Sequence, residues 1–139
     1  MNKISVISLD KKFKKRELEI KRVALKTLEI LNKDGVEAEI YLIDGRKMRF
    51  LNKKFRGKDK ATTVLSFEEP KNFILPPSKH KKIGEIYLNM KLTTNHKLQT
   101  ANYLLTHGLL HLFGYDHRKK NDRIRMMRIE RLLIAKLKN

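Results

Sequence analysis

The sequence predicts an α+β fold, a single domain over residues 1–139 with a small mixed four-stranded sheet packed with helices. Three observations predict it. Apolar Val36, Ala38, Ile40 and Leu42 alternate with Glu37, Glu39 and Tyr41, the period of a half-buried strand over Val36–Ile43. Ile20, Val23, Ala24, Leu28 and Leu31 recur instead at helical spacing. The elements follow in the order β-α-β-α-β-β-α-α, with no internal repeat or linker, in a chain long enough for one core.

Taken in order, Met1–Leu9 carries a short β-like run (Ile4, Val6, Ile7), and a helix is expected from about Lys12 to Asn32. Asp34-Gly35 supplies a turn before the strand Val36–Ile43. Arg46–Phe55 reads as a short helix carrying Met48, Leu51 and Phe55, stopped by Gly57. Thr62–Phe67 and Ile83–Leu88 read as strands, separated by a loop from Pro70 to His80 that contains Pro76-Pro77. Thr93-Thr94-Asn95 offers an N-cap for a helix running through His107 and His111 to Gly114. Asn121 or Asp122 is expected to cap a last helix with the apolar stripe Ile124, Met127, Leu132, Leu133 and Leu137.

Composition narrows the function classes. The absence of cysteine excludes disulfides and thiolate zinc sites, so any zinc must be held by nitrogen and oxygen. The N-terminal apolar stretch is broken too soon, by Asp10, for a signal peptide, and no segment approaches the roughly 18 apolar residues of a membrane span. A cytoplasmic protein with no membrane partner is the expectation. Thirty-three Lys and Arg against fifteen Asp and Glu give a net charge of +18. The basic residues cluster at Lys11–Arg16, at Lys53–Lys60 and from Arg118 through Arg131. Such an excess attracts polyanions, nucleic acid foremost, although a lysine-rich solvated surface would look the same in any single cluster. Two of the clusters flank the residues with candidate chemistry, which favours RNA or DNA.

That chemistry centres on Leu105–His117. His107 and His111 stand four residues apart, so on a helix their rings leave one face a turn apart. Gly114 can reverse the chain and return His117 to the same point. Three imidazoles with a fourth position open are the ligand set of a catalytic zinc, whose bound water has a pKa near 7. Imidazole sites also accept nickel, copper or iron. Two other readings stay open: histidines without a metal role, and a structural zinc with Asp116 as fourth ligand. His80 and His96, lone histidines, read as ordinary surface or core residues.

The spacing is also that of zinc proteases built on His-Glu-x-x-His-x-x-Gly-x-x-His, but the glutamate position is Gly108. Glycine cannot move a proton, and within a helix it costs roughly 1 kcal/mol against alanine, so a small residue here admits something close to the helix. Cleavage of a phosphodiester asks less of a protein base and more of positive charge at the phosphorane oxygens. Arg56 is the leading candidate for that charge, because a guanidinium fork pairs with two phosphate oxygens at any working pH. Taken alone, Arg56 is equally a surface arginine. Asp116 fits an orienting partner of His117, a proton acceptor or a plain turn residue.

The block His107-Gly-x-Leu-His111-Leu-x-Gly114-Tyr115-Asp116-His117 resembles the signature of the YbeY family of bacterial metal-dependent endoribonucleases. Leu51-Asn52-x-x-Phe55-Arg56-Gly57-Lys58-Asp59-Lys60-x-Thr62-x-Val64-Leu65-Ser66-Phe67 is similar to a second block of that family, Gly84-Glu85-Ile86 to a third, and Met126-x-x-x-Glu130 to a pairing in its last helix. The similarity runs in order from about Tyr41 to the C-terminus. It implies a zinc-dependent, single-strand-specific endoribonuclease of rRNA processing and ribosome maturation and quality control. His107, His111 and His117 would be the metal ligands, these three and Arg56 the catalytic set, and rRNA or its precursors the substrate. Ribosomal subunits or ribosomal proteins would be partners, and no oligomeric state is implied. The chain departs from the family pattern at Thr63, Ala61, Glu85 and Glu68, and by a shorter connection from Gly84 to His107. Thr63 and Glu85 are expected to line the cleft. A noncatalytic metal-containing ribosome-assembly factor is the alternative, and a zinc protease a third reading that Gly108 argues against.

Overall fold

The computed structural model describes residues 1–70, 80–91, 98–115 and 120–137. Its strands are β1 (Lys3–Ser8), β2 (Val36–Ile43), β3 (Val64–Glu68) and β4 (Lys81–Asn89), and its helices α1 (Glu17–Ile30), α2 (Gly45–Arg56), α3 (Leu98–Leu112) and α4 (Lys120–Leu137). The sheet runs β1-β2-β4-β3, parallel except for the antiparallel edge strand β3. This is the mixed four-stranded α+β domain expected from the sequence.

Alternation divides the sheet into two unlike faces. Ile4, Ala38, Ile40, Leu42, Ile86 and Leu88 point to one side, where Ile20, Ala24 and Leu28 of α1 and Leu105, Leu109 and Leu112 of α3 close the main core. On the other side the register places Glu39 beside Glu85 and Tyr41 beside Tyr87, with Phe67 and Leu65 opposite that pair. The Tyr41 and Tyr87 rings stack at 4.8 Å. Ile43, Met48 of α2 and Leu65 form a small second core at this end.

Local signals explain most boundaries. The Asp44 side chain accepts from the Lys47 N–H to start α2, and Gly57, at φ 71°, ends it in the left-handed conformation. Asn52, buried on α2, donates to the Lys60 carbonyl and fixes the loop that follows. The expected helix from Lys12 divides in two: a 3-10 segment Lys11–Arg16 precedes α1, anchored by buried Phe13. Its five basic residues repel one another at α-helical spacing, which disfavours a regular helix there.

The last helix departs further from expectation. It begins at Lys120, so Asn121 and Asp122 lie inside it. Among its described side chains Met126, Glu130 and Leu133 are buried, whereas Ile124, Met127 and Leu132 are exposed. Phe55 is likewise exposed rather than packed inward. The side chain of Leu137, the Thr93-Thr94-Asn95 cap, His96 and positions 71–79 of the expected loop lie outside the described residues.

Two glycines set how closely these layers approach. A Cβ on Gly84 (φ +150°) would lie 2.2 Å from the Phe67 carbonyl oxygen and 2.7 Å from Leu112 Cδ2. One on Gly108 would meet only the Ile86 side chain, at 3.2 Å. Gly84→Ala is therefore expected to lower Tm by about 10 °C or more in thermal unfolding followed by circular dichroism. Gly108→Ala should cost less, since its nearest contact is 3.2 Å to a side chain rather than 2.2 Å to backbone, and helix propensity returns about 1 kcal/mol. Equal Tm values for the two variants would contradict this packing.

The outer face has its own electrostatics. Lys82 Nζ lies 2.8 Å from Glu39 Oε1, and the Tyr41 hydroxyl donates to Glu39 Oε2. The hydrogen bond from Lys82, then that from Tyr41, hold the Glu39 carboxyl below its usual value of 4.5. Burial and the hydrogen bond to Glu85 push the Tyr87 phenol up to about 12. Because the folded-state pKa of Glu39 is depressed, its contribution to stability is present above about pH 4.5 and lost as the pH falls through the folded value. Denaturant unfolding of Glu39→Gln should then lose less stability than wild type between pH 5 and pH 3, and parallel curves would deny Glu39 this role.

Candidate functional site

Helix α3 is buried on two sides: Leu105, Leu109 and Leu112 meet the sheet, and Leu110 meets Met126 and Leu133 of α4. Its third side carries His107 and His111. These line a groove of about 940 Å3 whose other walls are the edge strand β3, the end of α2 with Phe55 and Arg56, and Gly114-Tyr115 beyond α3.

Within the groove the two imidazoles converge, with Nε2 of His111 3.1 Å from Nε2 of His107 and the rings edge to face at 4.6 Å. The opposite nitrogen of His107, Nδ1, lies 2.7 Å from Oε1 of Glu130, a carboxylate on α4 that is 4% exposed. A neutral imidazole has one N–H, and the carboxylate is the stronger acceptor. His107 Nδ1–H therefore donates to Glu130, and the Nε2 lone pair turns toward His111. Tyr103, one turn earlier on α3, stacks over His107 at 6.1 Å between centroids. Burial, then the negative charge and hydrogen bond of Glu130, raise the Tyr103 phenol above its ordinary pKa. Glu130 thus holds both side chains.

This donor set fits a transition metal. Two imidazoles on a tetrahedral zinc, each at about 2.0–2.1 Å, place their nitrogens roughly 3.3 Å apart, close to the 3.1 Å between the two Nε2 atoms. A carboxylate on the far nitrogen is the usual companion of a metal-binding histidine. Among the described residues no group of three or more His, Cys, Asp or Glu gathers for a metal. The expected third ligand, His117, and its neighbour Asp116 lie outside the described residues.

Arg56, the last residue of α2, reaches the groove from the other side of β3. Its Nη2 donates to the Ser66 carbonyl at 2.9 Å, and its guanidinium carbon lies 5.2 Å from the centre of the Phe67 ring. Both contacts fix the plane of the fork and leave its remaining donors to the groove.

A profile of the family described as Endoribonuclease YbeY matches residues 2–138. The chain belongs to the YbeY family. The relative named Endoribonuclease YbeY from Aquifex aeolicus is 33% identical over 135 residues, covering 91% of this chain and 87% of the relative. Those of the same name from Persephonella marina and Thermodesulfovibrio yellowstonii are 34% and 33% identical, covering 86% and 96% of this chain and 78% and 87% of theirs. A protein of Thermotoga maritima solved in solution shares the fold, with a TM-score of 0.61 and 24% identity over 94% of this chain and 86% of its own.

Within this YbeY chain, His107, His111 and Arg56 share one groove. Glu85, expected in the cleft, is not among its walls; it shares a sheet face with Phe67, accepts from Tyr87 and lies 3.8 Å from Lys82. Thr63 precedes β3, its carbonyl accepting from the Asn89 N–H, and is not among the groove walls. Gly108 faces Ile86 rather than the groove, so this position serves close packing of α3 on β4. Glu130 was legible only as part of a family motif and Tyr103 not at all. The available signal was a carboxylate at helical spacing between Met126 and Leu133.

His107 is expected to hold its proton on Nδ1 in the metal-free protein, read from 15N shifts of the imidazole. Glu130→Ala should move the proton toward Nε2, and an unchanged tautomer would remove Glu130 from the orientation of the ring.

Proposed function

We propose that this chain is a metal-dependent endoribonuclease that cleaves single-stranded RNA in the groove between His107, His111 and Arg56. We assign rRNA or precursor rRNA as its substrate, cytoplasmic ribosome maturation and quality control as its setting, and the ribosomal subunit or its proteins as partners. The observation that carries the reading is the convergence of two imidazole nitrogens at 3.1 Å in a groove shared with a fixed guanidinium. It gains support from relatives named as endoribonucleases. A net charge of +18 favours a polyanionic substrate. Among the described residues no helix is long and apolar enough to cross a membrane.

His107 and His111 would hold the metal, with His117 as third ligand and zinc favoured by an all-nitrogen set. Such an ion supplies Lewis acidity at a phosphoryl oxygen without a proton. The protein's own residues do the rest. Glu130 fixes the tautomer and orientation of His107. Arg56, held by Ser66 and Phe67, offers its other N–H donors to phosphate oxygens as negative charge develops on them. Lys58 adds a second cation to the groove wall. A protease reading is disfavoured twice over, because position 108 has no side chain to act as base and faces the sheet.

The test compares wild type with His111→Ala and Arg56→Ala on single-stranded and structured RNA, with and without chelator. Wild type should cut single strands and stop when chelated. His111→Ala should lose both metal and activity, and Arg56→Ala should lose about 100-fold or more in rate at full metal content. Wild type that binds RNA and cuts none would support the noncatalytic assembly factor instead. Equal cutting by wild type and His111→Ala would assign the activity to contamination.

A further inference from the structure

We propose that Phe55 selects single-stranded RNA by stacking on an unpaired base at the groove, with Phe50 offering a second ring farther along the same helix. This rests on the RNA-cleaving reading and names the residues that would choose the strand. Large aromatic side chains ordinarily bury most of their surface, yet Phe50 and Phe55 are 62% and 56% exposed on one helix. That helix is otherwise built for a polyanion: six of its twelve residues (Arg46, Lys47, Arg49, Lys53, Lys54, Arg56) are basic and none is acidic. Arg49 is paired with Asp59 at 2.8 Å and Lys53 also acts on that carboxylate, which leaves Arg46, Lys47, Lys54 and Arg56 with no salt bridge to an acid among the described residues.

Phe55 sits where a strand entering the groove would pass, whereas Phe50 lines a separate pocket with Asp10, Asp44, Arg46 and Lys47. Phe55 is itself a groove wall, next in sequence to Arg56. Its ring packs edge-on against Phe67 at 5.5 Å between centroids, which holds it in place. Lys54 Nζ lies 5.8 Å from the Phe50 ring centre and 5.4 Å from that of Phe55, so one ammonium serves both rings. Exposed aromatic faces interleaved with cations are how single strands are bound without sequence readout: phosphates meet the cations and base faces meet the rings. In a duplex those base faces are already covered, so the same surface offers a double strand its charge alone. Charge complementarity with this basic helix is what commits the occupant to RNA rather than to an apolar protein surface.

The probe is a short fluorescent 2′-O-methyl oligoadenylate, which resists cleavage, alone and as a duplex with oligouridylate of the same backbone. Anisotropy against the zinc-loaded protein is read over a range of salt. Phe55→Ala should weaken single-strand binding about five-fold or more, leave duplex binding unchanged and leave the slope of log Kd against log salt unchanged. Phe55→Tyr should restore affinity. Phe50→Ala, which removes a ring whose one described ring contact is Lys54, should weaken it in the same direction. Lys54→Ala should instead reduce the salt slope by about 1. Unchanged single-strand affinity in both phenylalanine variants, or an equal loss on the duplex, overturns the proposal and leaves the rings to a protein contact. Wild type that binds neither probe overturns the RNA-cleaving reading itself.

Discussion

The distance between α3 and β4 governs this molecule. Gly108 on the helix and Gly84 on the strand are the two points where a Cβ would press on a neighbouring layer, on Ile86 in one case and on the Phe67 carbonyl and Leu112 in the other. Without those side chains α3 lies close enough to the sheet for His107 and His111 to stand beside the edge strand β3. The groove is therefore not a separate feature laid over the fold. Its depth is the separation that two absent side chains allow, and its far wall is the sheet edge against which Arg56 is pinned.

Charge is partitioned on the same plan. The outer face of the sheet gathers Glu39, Glu69 and Glu85, three of the fifteen acidic residues, around Lys82. The groove walls carry Arg56 and Lys58 beside one acid, Glu68, and α2 has six basic residues and no acidic one. A polyanion approaching this protein meets one side that repels it less and funnels it, and another on which the acids are gathered. Strand parity keeps Glu85 off the α3 side, since Glu85 and Ile86 point to opposite sides, while Phe67, paired with Glu85, carries Arg56 on the Glu85 side.

Much of this was written in local sequence. The alternation of Val36–Ile43 needed no tertiary information, nor did the ends of α2, marked by Asp44 and Gly57. The His107-x3-His111 spacing announced a convergent pair, and the convergence is there at 3.1 Å. What failed had a common cause. Glu130 breaks the apolar stripe of α4, so the periodicity points to Ile124, Met127 and Leu132, which are exposed, and misses Met126, while Leu133 of the expected stripe is buried. A buried carboxylate looks like surface until its partner on another helix is known. Glu85 was misplaced for a related reason: a motif aligns residues along a chain and is silent about the neighbours, here Tyr87 and Lys82, that a side chain meets. The purpose of Gly108 was half legible, as a missing base, but its packing against Ile86 is a long-range contact with no local signature.

The carboxylate that orients His107 belongs to α4, the last helix described, twenty-three residues farther along the chain. A polypeptide leaves the ribosome from its N-terminus, so every strand and both groove histidines emerge before Glu130 does. During that interval the sheet and α3 can assemble, while the His107 ring still lacks the partner that fixes its tautomer. The site is thus finished by the last helix to be synthesised of those that touch it. The partner of His107 Nδ1 arrives with the docking of α4 rather than with the formation of the sheet, and a chain without that helix would carry the groove with this imidazole unanchored.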